Sequence, residues 1–100
     1  MKRFILTPSA ERDVSEIWDY ISVDNTEAAD RVLAALESAM VKVAKNPGVG
    51  HWREDLADKR HRFLLVYSYL IVYRYEAKPL QIVRVLHAAR NVQSILSPPL

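Results

Sequence analysis

The chain of 100 residues contains no cysteine and only two glycines. Without thiols there is no disulfide scaffold and no thiolate metal site, and thiol redox chemistry is excluded. No run approaches the ~20 apolar residues that a membrane-spanning helix needs. The opening Met1-Lys2-Arg3-Phe4-Ile5-Leu6-Thr7-Pro8 carries two basic residues, but its apolar run stops at Leu6, too short for a signal-peptide core. A cytoplasmic protein with no membrane association is therefore expected. The motifs that mark many enzymes are also missing: there is no phosphate-binding P-loop, no HExxH and no GxSxG. The histidines His51, His61 and His87 stand in unrelated contexts and would need carboxylate help to hold zinc, so no metal or other cofactor is expected.

What is present suits an ordinary globular chain, with 50% hydrophobic and 26% charged residues. A length of 100 residues leaves room for one core, so residues 1–100 read as a single domain. Charge is uneven: residues 1–50 carry six Lys/Arg against eight Asp/Glu, and residues 51–100 carry eight against four. A basic second half marks either a surface for phosphates or an acidic protein partner, or simply a solvated face.

Residues 2–6 read as a short strand. Thr7 can cap a helix with Pro8 at its first position, where the missing N–H leaves nothing unpaired. Ala10, Val14, Ile17, Trp18 and Ile21 then recur at helical spacing as a buried stripe, with Glu11, Asp13, Glu16 and Asp19 between them. Asp24-Asn25-Thr26-Glu27 opens a second helix, with a Glu three residues after the cap. Its stripe is Ala29, Val32, Leu33, Leu36, Met40 and Val43, and Pro47-Gly48 ends it. The short connection predicts an antiparallel helical hairpin. Residues 48–59 read as a loop. Three strand-like runs follow, Arg60 to Tyr67, Tyr69 to Tyr75 and Leu80 to His87, and predict an antiparallel meander. Residues 88–96 predict a short final helix, which Pro98 and Pro99 cannot continue. The order β-α-α-β-β-β argues an α+β fold, a helical hairpin packed on a small antiparallel sheet.

Alternation in the meander puts Arg60, Arg62, Leu64 and Val66 on one side and His61, Phe63, Leu65 and Tyr67 on the other. Both sides of the last strand carry apolar residues, so the pattern leaves open which face meets the helices. The arginines read equally well as edge residues with packed stems and solvated heads. His87 ends the last strand, three residues before Arg90, and its imidazole is the best placed for proton transfer near neutrality.

Several blocks resemble a known family. Leu6-Thr7-Pro8-Ser9-Ala10-Glu11-Arg12-Asp13 followed by Ile17-Trp18-Asp19-Tyr20-Ile21 is similar to the first helix of ParE-type toxins, in the RelE/ParE superfamily of type II toxin–antitoxin systems. Asn46-Pro47-Gly48-Val49-Gly50-His51 leading to Arg53-Glu54-Asp55-Leu56 resembles their central loop. Tyr69-Leu70-Ile71-Val72-Tyr73-Arg74 and Ile82-Val83-Arg84-Val85-Leu86-His87-Ala88-Ala89-Arg90-Asn91 resemble their last two strands. The resemblance implies two helices on a small antiparallel sheet, toxicity neutralised by a cognate ParD-like antitoxin in a hetero-oligomer, and a function in plasmid stabilisation.

One fold carries two activities in this superfamily. ParE-like members inhibit DNA gyrase, a protein target. RelE-like members cut messenger RNA on the ribosome, with Arg62 and Arg90 standing where they place catalytic arginines and His87 available to move a proton. RelE-like enzymes also use a Tyr or His near the C-terminus, and none follows Arg90 here. The resemblance therefore implies a gyrase inhibitor that is not an enzyme, with Arg60, Arg62, Arg84, His87 and Arg90 as target- or partner-binding residues. The alternatives are a ribosome-dependent mRNA endonuclease and a non-toxic antitoxin-binding module. The antitoxin is expected along the groove between the helical hairpin and the sheet.

Overall fold

In the computed structural model the described residues are 4–52 and 60–89. Arg90, residues 2–3, most of the 48–59 loop and residues 90–96 of the expected last helix lie outside them. The elements are β1 (Phe4–Leu6), α1 (Pro8–Ser22), α2 (Thr26–Lys45), a 3-10 turn (Pro47–Val49), β2 (His61–Val66), β3 (Tyr69–Arg74) and β4 (Leu80–His87). No helix among the described residues is long and apolar enough to cross a membrane.

Local chemistry explains the helix boundaries. Thr7 accepts the Ala10 amide at 3.1 Å as N-cap of α1, and Pro8 occupies the first turn. The cap of α2 is Asn25, one residue later than the sequence suggests, with its side chain accepting from the Ala28 amide at 3.0 Å. Glu27 in the first turn of α2 and Lys42 and Lys45 in the last complement the helix dipole.

The sheet order is β1-β4-β3-β2. The meander β2-β3-β4 is antiparallel as expected, while β1 joins β4 in parallel, so the whole sheet is mixed. That pairing follows from the helical hairpin, which carries the chain out from β1 and back before the meander begins. The register of β3 on β4 shifts once: Val72 faces Arg84 but Tyr73 faces Ile82, leaving Val83 as an extra residue. The bulge changes the phase of β4, so Ile82 and Val85 both enter the core under the helices. This is why simple alternation gave apolar residues on both sides of the strand. Leu64 and Val66 also pack toward that core, which settles the face that meets the helices. Phe63, Leu70, Val72 and Leu86 share the opposite face and are buried too. Trp18 departs from the expected stripe: it is half-buried, and its Nε1 donates to Asp30 on α2 at 3.0 Å, so it serves the seam between the helices.

Tyr73 fixes the end of α2 to the sheet. Its hydroxyl donates to the Pro47 carbonyl at 2.6 Å and accepts from the Gly50 amide at 2.9 Å, in a site where its side chain is fully buried. Burial pushes this phenol above the ordinary tyrosine value, opposed by the Gly50 hydrogen bond and the Arg62 charge. Gly50 is required by contact, not by backbone conformation: a Cβ there would meet the Tyr73 hydroxyl, with its Cε1 at 2.9 Å and the Phe63 carbonyl at 3.0 Å. Tyr73→Phe should therefore leave the Pro47 and Gly50 backbone groups without their partner and cost about 1–3 kcal/mol in denaturant unfolding. Gly50→Ala should destabilise as well, although it removes no hydrogen-bonding group.

Candidate functional site

The first turns of α1 lie along the outer edge of β4, beyond the three residues that β1 covers. A strand edge without a neighbouring strand leaves amides to satisfy. The Thr7 amide donates to the Ile82 carbonyl at 3.0 Å, and the Thr7 hydroxyl to the Val83 carbonyl at 2.7 Å. Nearly two turns later Asp13 continues this pairing through its side chain. Its Oδ2 accepts from the Val85 amide at 2.9 Å and from Arg84 Nε at 2.7 Å, and its Oδ1 accepts from Arg84 Nη2 at 2.9 Å. Asp13 is 8% exposed. The hydrogen bond to Asp13 raises the Arg84 guanidinium above its ordinary value, against the opposing effect of burial. Arg84, expected to contact a target or partner, is thus engaged within the fold as a bidentate partner.

The remaining candidates are dispersed. Arg62 lies beside the Tyr73 knot, with Nη1 donating to the Gly50 carbonyl at 3.4 Å and the guanidinium carbon 4.6 Å from the Tyr75 ring centroid. Its Nε is buried without a hydrogen-bond partner among the described residues. Arg60 is exposed just before β2. His87 is exposed at the other end of the sheet, where its ring meets Tyr69 edge to face with centroids 5.5 Å apart. The Ala89 amide donates to His87 Nδ1 at 3.1 Å, so Nε2 is the nitrogen left for outside contacts. Arg62 pairs with Tyr73 and His87 with Tyr69, four residues apart on β3, which is about 13 Å along the strands. The structure therefore does not bring Arg62 and His87 together, and Arg90 lies outside the described residues. Among the latter no cluster of acidic, histidine or cysteine side chains could hold a metal.

A concave surface of about 600 Å³ opens between β1 and α2. Phe4, Leu6, Val14, Leu33, Leu36 and Met40 form its apolar floor, with Glu37 and Lys45 adding charge. Val41, also lining it, is 43% exposed.

Sequence reasoning missed Asp13, which it placed between the positions of the buried stripe of α1. The signal was its spacing: Ala10, Asp13 and Ile17 are i, i+3 and i+7, which puts the carboxylate on the buried stripe. Asp13→Ala should cost about 1.5–3 kcal/mol, the range for hydrogen bonds to charged groups. A double-mutant cycle with Arg84→Ala should give a coupling above about 0.5 kcal/mol, whereas additivity would mean that the pair contributes nothing.

Comparison with known proteins gives this geometry a family. A family model described as the ParE toxin of the type II toxin–antitoxin system parDE matches residues 4–92. The toxin ParE1 of Mycobacterium tuberculosis is 30% identical over 93 residues, covering 90% of this chain and 93% of that protein. A solved structure of the chromosomal ParDE toxin–antitoxin system from P. aeruginosa superposes with a TM-score of 0.69 at 21% identity, over 84% of this chain and 92% of that one, and supports the fold. On the family match and the likeness to ParE1 across nine-tenths of its length, the chain belongs to the ParE toxin family of type II toxin–antitoxin systems.

Proposed function

We propose that this toxin acts in the cytoplasm by binding DNA gyrase, without cutting RNA, and that a ParD-like antitoxin silences it in a hetero-oligomer. The observation that carries the choice of target is the separation of Arg62 from His87 among the described residues. Cleavage of an RNA backbone needs a base for the 2′-OH, an acid for the leaving oxygen and cations on the phosphate, all within hydrogen-bond reach of one phosphodiester. Arg62 and His87 are separated by about 13 Å of strand, and the Arg84 guanidinium is tied to Asp13. Such an arrangement favours a toxin that acts through a protein interface.

The groove between β1 and α2 favours the antitoxin side of the proposal. Its floor is apolar, and β1 is an edge strand whose other side has no neighbouring strand among the described residues. An antitoxin segment that folds on binding could lay apolar side chains against Leu33, Leu36 and Met40.

Two experiments test these readings. Purified chain should inhibit supercoiling by gyrase and leave message on translating ribosomes intact. Cleaved codons that disappear in His87→Ala or Arg62→Ala, with supercoiling untouched, would contradict the gyrase reading. For the groove, Val41→Glu puts a charge on an exposed position of α2 and should weaken the complex with the cognate antitoxin about tenfold or more while leaving Tm near the parent value. Unchanged affinity would place the antitoxin elsewhere.

A further inference from the structure

Tyr67 and Ser68 form the two-residue loop between β2 and β3, at the end of the sheet away from the Tyr73 knot. Tyr67 has φ 54°, the left-handed region, and no other non-glycine described residue has positive φ. A bulky residue there is disfavoured, and tight hairpins ordinarily use Gly, Asn or Asp at such a position. The fold gains little compensating burial, because Tyr67 is 64% exposed. Leu65, two residues earlier on β2, is 59% exposed. The loop is held firmly all the same: Val66 pairs with Tyr69 across the hairpin, and the Ala88 amide donates to the Ser68 carbonyl at 2.7 Å. A penalised backbone carrying an exposed ring on a rigid support is the pattern of a contact residue.

We infer that the tip of the β2–β3 hairpin is the surface through which this toxin grips its protein target, with the Tyr67 ring as the anchor and Leu65 beside it. The inference rests on the proposal that the toxin acts by binding a protein. The chemistry of the tip selects that kind of occupant. Residues 65–70, Leu-Val-Tyr-Ser-Tyr-Leu, contain no charged side chain, whereas nucleic acid and anionic lipid both call for Lys or Arg. A tyrosine offers a large, rigid apolar area, which suits an apolar pocket on a protein. Two exposed side chains make an anchor and not a whole interface, so the rest of the contact falls on neighbouring surface. The groove proposed for the antitoxin lies at the β1 edge, three strand spacings or about 14 Å across the sheet from β2. The target surface and the silencing surface are thus distinct.

The test uses Tyr67→Asn and Tyr67→Gly in the full chain, because both residues accept left-handed backbone and should hold Tm at or above the parent value. Growth arrest on induction, Tm of the purified proteins and gyrase supercoiling are measured for each. Both variants should need at least tenfold more protein to arrest growth, while Tyr67→Phe, which keeps the ring, arrests like the parent. Full toxicity in the Asn and Gly variants would overturn the inference. A fall in Tm in both would also overturn it, since the ring would then be serving the fold. Growth arrest by a parent that leaves supercoiling untouched would reject gyrase as the target and leave the Tyr67 comparison decisive on its own terms. A parent that arrests nothing has no target for the tip and overturns the inference together with the proposed function.

Discussion

The carboxylate of Asp13 holds the first helix to the sheet, and the other surfaces of the molecule depend on where that puts the helices. β1 covers only three residues of β4, and beyond it the strand would present open amides under α1. Asp13 accepts the Val85 amide and both nitrogens that Arg84 directs toward it. A neutral side chain could satisfy part of this set; the charge makes all three bonds strong and gives Arg84 a fixed partner. The bulge at Val83 belongs to the same device, since it lets Ile82 and Val85 both face the helices while Arg84 reaches the acid.

Tyr73 does the corresponding work where the chain leaves the helical hairpin. With its hydroxyl between Pro47 and Gly50, the chain leaving α2 is bound to the middle of the sheet. The two attachments involve different chemistry, an ion pair at the edge of β4 and a buried phenol on β3. Between them the helices are positioned so that α2 leaves an apolar trough beside β1 instead of closing over it.

The helices were legible in the sequence because their periodicity and caps are local: Thr7 with Pro8, the Asp24–Glu27 segment and Pro47-Gly48 each act within a turn. The meander was legible from its Val, Ile, Leu and Tyr runs. The parallel docking of β1 was not, because it depends on where the helical hairpin returns the chain. The facing of β4 was hidden by one extra residue, which breaks alternation without leaving a glycine or proline to mark it. The site was read less well than the fold. Arg84 is indistinguishable in sequence from a solvated arginine, since its partner is 71 residues away. Asp13 and Trp18 show the same limit from the other side: helical spacing gives a face, and only packing says whether that face meets the sheet or the neighbouring helix. Tyr67 carried no sequence signal, because a tyrosine between two strands reads as part of a strand until its backbone is known.

The proposed function and the proposed target surface together separate silencing from action. The proposed division places the antitoxin along β1 and α2, and the target at the hairpin on the far edge of the sheet. Amide hydrogen exchange on the chain alone and in complex with its cognate antitoxin tests this division most directly. The account predicts added protection in β1 and in residues 33–45 of α2, with none in residues 65–70. Added protection confined to residues 65–70, with α2 unchanged, would contradict it.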